Sequence, residues 1–200
     1  MIDILWIFFF NFFYLILYMN IINIKFTDIN KFNKQQKDEL ENLLNIEHKH
    51  YAKFYNKINL IKNIDLDEYI KIQRDANDLY FLLYYKEKKL VGRIEYHEYT
   101  VNDKIVKRFI YKNGTYLWIK NVFVLEEYRR QGILHNIFDY LFENISNKNV
   151  ALSVDKSNIN ALKAYEKFGF KKIIERKVTN KLVGSNDYTE YFVEYLMIKE

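Results

Sequence analysis

The chain has 200 residues, half of them hydrophobic and 18% aromatic, with no cysteine and no proline. That apolar content suits a packed core and excludes a disordered chain; the lack of cysteine excludes disulfides, thiolate metal sites and a cysteine nucleophile, and fits a reducing, cytoplasmic setting. A formal net charge of +5 favours an anionic partner such as a cofactor phosphate or a membrane surface, but the basic residues are dispersed and no clustered arm marks a nucleic-acid binder.

Residues 1–18, MIDILWIFFFNFFYLILY, are apolar except for Asp3 and Asn11. They lack the basic start and small-residue cleavage site of a signal peptide. As a membrane anchor they would leave the domain on the cytoplasmic side, because Lys25, Lys31, Lys34 and Lys37 follow. As a helix they reach roughly 27 Å, just short of a bilayer core of about 30 Å. Translation from Met19 and a helix packed on the domain are the two alternatives.

The remainder, 19–200, reads as one mixed α/β domain. Residues 20–27 alternate as a half-buried strand. Asp28 is the expected cap of a helix carrying Leu40, Leu43, Leu44 and Glu47 to about His50. A short helix opens at Asp65, and 79–101 is a hairpin turning at Lys86–Lys89. Turns are expected at Asn102–Asp103 and Asn113–Gly114. A strand at 115–124, a helix at 132–145, a strand at 149–154 and a helix at 158–168 follow. Strands at 170–179 and 190–198 close the chain around a turn near Gly184.

The strand-to-helix junction YRRQGIL (128–134) holds one of only five glycines. A helix N-terminus exposes unpaired N–H groups and a partial positive charge, and a glycine before it lets an anion approach the backbone. Arg129 and Arg130 would add charge-assisted hydrogen bonds. The plainer alternative is a turn with solvated arginines. Neither a dinucleotide fingerprint nor a P-loop fits, since a second glycine and a Gly-Lys-Ser/Thr run are both missing. His48 and His50 fall on different helix faces, so no metal site is expected.

A second motif follows one helix and one strand later. In SNINALKAYEKFGF (157–170), Ala161, Ala164, Tyr165 and Phe168 keep helical spacing, and Gly169 ends the helix with Phe170 folding back. Together the two motifs resemble those of the GNAT superfamily of acyl-CoA-dependent N-acetyltransferases. There an apolar strand leads into a Tyr-Arg/Gln-x-x-Gly-x-Gly/Ala loop, and an Asn-x-x-Ala-x-x-x-Tyr-Glu-x-x-Gly-Phe helix comes at this spacing. The resemblance covers 19–200 and implies a mostly antiparallel sheet flanked by helices.

It also implies an activity: transfer of an acetyl group from acetyl-CoA, the acyl-donor cosubstrate, to a primary amine of a small molecule, protein or peptide by direct attack. The backbone of Val122, Phe123 and Val124 would pair with the pantetheine arm. Residues Arg130, Gln131, Gly132, Ile133, Leu134 and His135 would hold the pyrophosphate, with Arg129 at the mouth of the loop. Asn158 would bond the pantetheine, and Tyr165 would protonate the departing thiolate; the alternative for Tyr165 is a core aromatic. Two departures stand out. Leu134 occupies a position that is usually Gly or Ala. Ser153 stands where some protein-acetylating relatives carry a catalytic glutamate. Glu95 and Glu98 are the carboxylates left on the neighbouring strand, and both read as surface residues. These departures leave a second reading open, a non-catalytic CoA-binding or interaction module on the same fold.

Overall fold

The computed structural model describes residues 20–54, 63–72, 79–100, 115–145, 149–181 and 189–199. The apolar segment 1–18 and the turns expected at Asn102–Asp103, Asn113–Gly114 and Gly184 lie outside them. Among the described residues no helix is long and apolar enough to cross a membrane.

Strand β1 spans Ile21–Lys25 and gives way to a 3-10 turn, Phe26–Lys31, two residues before the predicted end of the strand. Phe26 and Ile29 anchor that turn in the core. Asp28 is therefore not a helix cap; it pairs with Lys31 inside the turn at 2.8 Å. Helix α1, Lys34–Phe54, is capped instead by Asn33. Asn33 Oδ1 accepts from the Gln36 amide at 2.9 Å, and Gln36 Oε1 accepts from the Asn33 amide at 3.1 Å, a reciprocal capping box. Helix α2, Leu66–Ile72, opens as expected, with Asp65 Oδ1 accepting from the Glu68 amide at 2.9 Å. Strands β2 (Leu79–Lys86) and β3 (Lys89–Thr100) join through Glu87 and Lys88, both at positive φ, the conformation that a two-residue hairpin turn demands.

Strand β4 is Thr115–Val124, helix α3 Ile133–Asn144, strand β5 Val150–Asp155 and helix α4 Ile159–Lys167. Strands β6 (Lys171–Lys181) and β7 (Thr189–Lys199) complete one seven-stranded sheet in the order β1-β2-β3-β4-β5-β7-β6. Every neighbouring pair is antiparallel except β4 and β5.

Alternation along the strands assigns the helices to opposite faces. Arg93 and Glu95 on β3 bond to α1 and α2 through Glu47 and Tyr69. Gly92 is on the other face, opposite Ile133 of α3, and a Cβ there would lie 3.5 Å from Ile133 Cγ2. Tyr84 shares that second face, its hydroxyl accepting from Asn136 Nδ2 at 3.1 Å. The core is continuous from Leu40, Leu43 and Leu44, through the sheet, to Ile137, Phe138 and Leu141.

Candidate active site

The two parallel strands part company early. Strands β4 and β5 pair only from Leu117↔Val150 to Ile119↔Leu152, so among the described residues no strand pairs with β4 beyond Ile119 on that side. On the other side β4 stays paired to β3 as far as Gly92↔Val124. The register slips at Glu95/Tyr96 and leaves Lys120 as an extra residue on β4, a bulge that bends the strand away from β5. The strand edge facing the gap is identified by its hydrogen bonds. Tyr51 donates to the Val122 carbonyl at 3.4 Å, and Arg129 Nε donates to the Val124 carbonyl at 3.0 Å. The Phe123 carbonyl points the other way, toward Gly92. Of the three residues predicted to meet the pantetheine, Val122 and Val124 thus present their backbone to the gap, and Phe123 presents its to β3.

The loop after β4 turns through a 3-10 segment, Glu126–Tyr128, and reaches α3 by two left-handed residues, Arg130 at φ 61° and Gly132 at φ 77°. Gly132 is the cap residue of α3, and no side chain caps that helix. The Gly132 carbonyl accepts the first helical bond, from the Asn136 amide at 3.0 Å, so the amides of Ile133, Leu134 and His135 have no partner within the helix. A Cβ on Gly132 would meet nothing within 4 Å, so the space beside it is open.

Apart from exposed Arg130, the side chains of this loop are occupied with the protein itself. Gln131 braces the loop, Nε2 donating to the Glu127 carbonyl at 2.9 Å and Oε1 accepting from Lys86 at 2.6 Å. Arg129 folds back over Phe123, with 5.7 Å from its guanidinium carbon to the ring centre, and Arg130 is exposed. His135 pairs with Asp139 at 3.2 Å and stacks on Phe168. Leu134 is partly buried and packs against the core.

Helix α4 lies across α3 through aromatic contacts: Phe138 stacks on Phe168 at 4.5 Å and meets Tyr165 edge-on at 6.1 Å. Asn158 caps α4, its Oδ1 accepting from the Ala161 amide at 3.1 Å, which leaves its amide N–H groups as donors. Gly169 at φ 87° ends the helix, and the Phe170 amide returns to the Tyr165 carbonyl at 3.1 Å, as the spacing predicted. Burial pushes the Tyr165 phenol well above its ordinary value.

Sequence reasoning missed two clusters, and both are on the α1/α2 face. Glu95 is not a surface residue; it is fully buried and holds Tyr69, Arg93 and Asn121. Strand alternation could have flagged it, because Arg93 and Glu95 share a face with the apolar Phe81. Across the gap, Arg176 bridges Glu194 at 2.5 Å and donates to Ser153 Oγ at 3.1 Å. Serine at 153 therefore receives a guanidinium, and Glu194 on β7 supplies the carboxylate of that wall.

These features can be set beside known proteins. The model of the acetyltransferase (GNAT) family matches residues 40–170, from α1 to the residue after the α4 cap. The chain belongs to this family. No curated protein matches it in sequence. Among solved structures, Arabidopsis thaliana NAA60 in complex with acetyl-CoA is 16% identical with a TM-score of 0.59, covering 90% of this chain and 97% of that one. Arabidopsis thaliana Naa50 in complex with the bisubstrate analogue CoA-Ac-MVNAL is 18% identical with a TM-score of 0.51, covering 90% and 99%. A possible acetyltransferase from Clostridium difficile 630 is 24% identical with a TM-score of 0.54, covering 82% and 97%. At these identities the likeness is one of fold, and the GNAT acetyltransferase described here shares it from end to end of those chains.

Proposed function

We propose that this GNAT acetyltransferase moves the acetyl group of acetyl-CoA onto a primary amine by direct attack. One observation carries the reading above all. The gap past Ile119 and Leu152 runs along the open edge of β4 to the loop that ends in the uncapped start of α3. An extended arm bonds to such a strand edge, and phosphates suit free helical amides beside open space. The acetyl-CoA complex of NAA60 supports the same donor here.

Bound there, acetyl-CoA supplies an activated thioester. The chain's own groups do the rest. The amides of Ile133, Leu134 and His135 hold the pyrophosphate, and exposed Arg130 adds charge beside it. Val122 and Val124 bond the arm along the strand edge, once Tyr51 and Arg129 release their carbonyls. The amide of Asn158 donates to the arm from the start of α4. As the amine nitrogen forms its C–N bond and the C–S bond breaks, the amine gives up one proton to water in the gap. The Tyr165 hydroxyl gives another to the departing sulfur, a proton that burial has kept in place, and solvent afterwards returns one to Tyr165.

The test is thiol release by the full chain from acetyl-CoA. Three acceptors are offered: a peptide with a free N-terminus, a blocked peptide with one internal lysine, and spermidine. Amine-dependent release with at least one is expected. Stabilisation by acetyl-CoA without release from any of the three would reduce the protein to a binding module.

A further inference from the structure

The buried cluster beneath α1 and α2 is adjacent to the gap and has no part in holding the donor. Glu95 is 0% exposed. Its Oε1 accepts from the Tyr69 hydroxyl at 2.6 Å and from Arg93, and its Oε2 accepts from Asn121 Nδ2. Arg93 Nε also reaches Glu47 Oε2 at 2.6 Å. Burial opposes ionisation of Glu95, yet the Arg93 guanidinium and the Tyr69 hydroxyl outweigh it and hold the carboxyl below the ordinary range. Burial lifts the Glu47 carboxyl above that range in spite of Arg93.

An ionised carboxylate accepts hydrogen bonds and donates none. Glu95 therefore decides which end of each neighbour remains. Tyr69 gives up its only donor, which leaves oxygen lone pairs. Asn121 must turn its amide nitrogen inward, which leaves Oδ1. Tyr69 and Asn121 are part-exposed while Glu95 is fully buried. Asn121 directly precedes Val122, whose carbonyl faces the gap. Two acceptors on the two oxygens of one carboxylate, beside the strand edge that holds the donor, form a matched site. A nucleophilic primary amine needs its N–H groups held and its lone pair free.

We propose that Tyr69 Oη and Asn121 Oδ1 bind the acceptor's primary amine, and that Glu95 is the positioning residue that keeps both as hydrogen-bond acceptors. The inference rests on the amine-transfer reading above and adds the place and polarity of the acceptor site. Primary amines fit it; an alcohol, with one hydrogen, fills half of it.

Tyr69→Phe removes one acceptor. Glu95→Gln keeps the shape but adds donors that scramble the polarity of both neighbours. The full chain and each variant are compared for melting temperature, acetyl-CoA dissociation constant, and kcat/KM toward whichever of the three acceptors reacts. In both variants kcat/KM for the amine is expected to fall about 10- to 100-fold. Acetyl-CoA affinity should stay within about 2-fold, since no hydrogen bond to the donor is lost. Unchanged kcat/KM for the amine in Tyr69→Phe overturns the proposal, as does an equal loss of acetyl-CoA affinity, which marks a merely structural cluster. Should Glu95→Gln fail to fold, Tyr69→Phe decides alone. Inactivity of the wild-type chain on every acceptor overturns the amine-transfer reading and this site with it. An active wild type with an unaffected Tyr69→Phe overturns only this site.

Discussion

Tyr165 is buried between Phe138 and Phe170, and its phenol is pushed well above the ordinary value by that burial. It therefore keeps its proton across any working pH, which a general acid requires, and its titration should leave no limb in a pH–rate profile below about pH 10. Tyr165→Phe preserves the ring packing, so acetyl-CoA affinity is expected to hold while kcat drops about 100-fold. Equal losses in a binding titration and in turnover would assign the residue to packing alone. Gly132 poses a separate question, because open space surrounds it and only its φ of 77° demands glycine. Gly132→Ala should lower stability by roughly 1 kcal/mol. Its methyl group would project beside the free amides of α3, so the stabilisation given by acetyl-CoA in a thermal-shift titration should weaken by more than that loss explains. Tyr165, Gly132 and Asn158 were legible in the sequence because each marks a helix end or a helix face, set by neighbours within a turn or two. Glu95 was not, because its partners come from α1, α2 and β4.

Strands β3 and β4 form the element pair on which the gap depends. A Cβ at Gly92 would lie 3.2 Å from the Phe123 carbonyl oxygen and 3.3 Å from Val124 Cγ2. Gly92→Ala must push β4 outward by a few tenths of an ångström. We expect a lower melting temperature, by a few degrees for a destabilisation of about 1 kcal/mol, and a raised KM for acetyl-CoA measured in the thiol-release assay. The bulge at Lys120 resets which face each β4 residue occupies. Without it, Asn121 could not reach Glu95. The ionic cluster that ties α1 to β3 makes a pH prediction with two opposite signs. Glu47 has a raised folded value, so its contribution to stability is full below the ordinary glutamate value of about 4.3 and is lost as pH rises through the folded value. Glu95 has a lowered one, so its contribution is present at neutral pH and is lost as pH falls through the folded value. The melting temperature should accordingly hold or rise on acidification from pH 7 to about pH 5, and fall below about pH 4. Glu47→Gln should remove the first part of that profile and leave the acid loss in place.

Across the whole molecule, the described fold begins at residue 20 and gathers all seven strands into one sheet. Residues 1–18 are a separate matter with a direct measurement. A mass-spectrometric N-terminal peptide from Met1 retains the membrane-anchor reading, whereas one starting at Met19 or Asn20 removes it. The sequence alone determined the family, because YRRQGIL and NINALKAYEKFGF are contiguous signals. The left-handed cap at Gly169, the helix opening at Asp65 and amphipathic spacing act over a few residues, and the described structure keeps them where the spacing put them. It also indicated most strand positions through alternation, and misplaced the start of α1 because Asp28 and Asn33 offer the same local capping chemistry. Tertiary structure alone decided the rest. Arg129 bonds to the β4 edge, Leu134 packs against the core, and Ser153 meets Arg176. Glu95 is buried by groups far along the chain, with Tyr69 at a separation of 26 residues. Arg93 and Glu47, which anchor it, are 46 residues apart. Local periodicity carries no information about which distant side chain will close over a charge; the crossing of α1 and α2 over the sheet sets that partner.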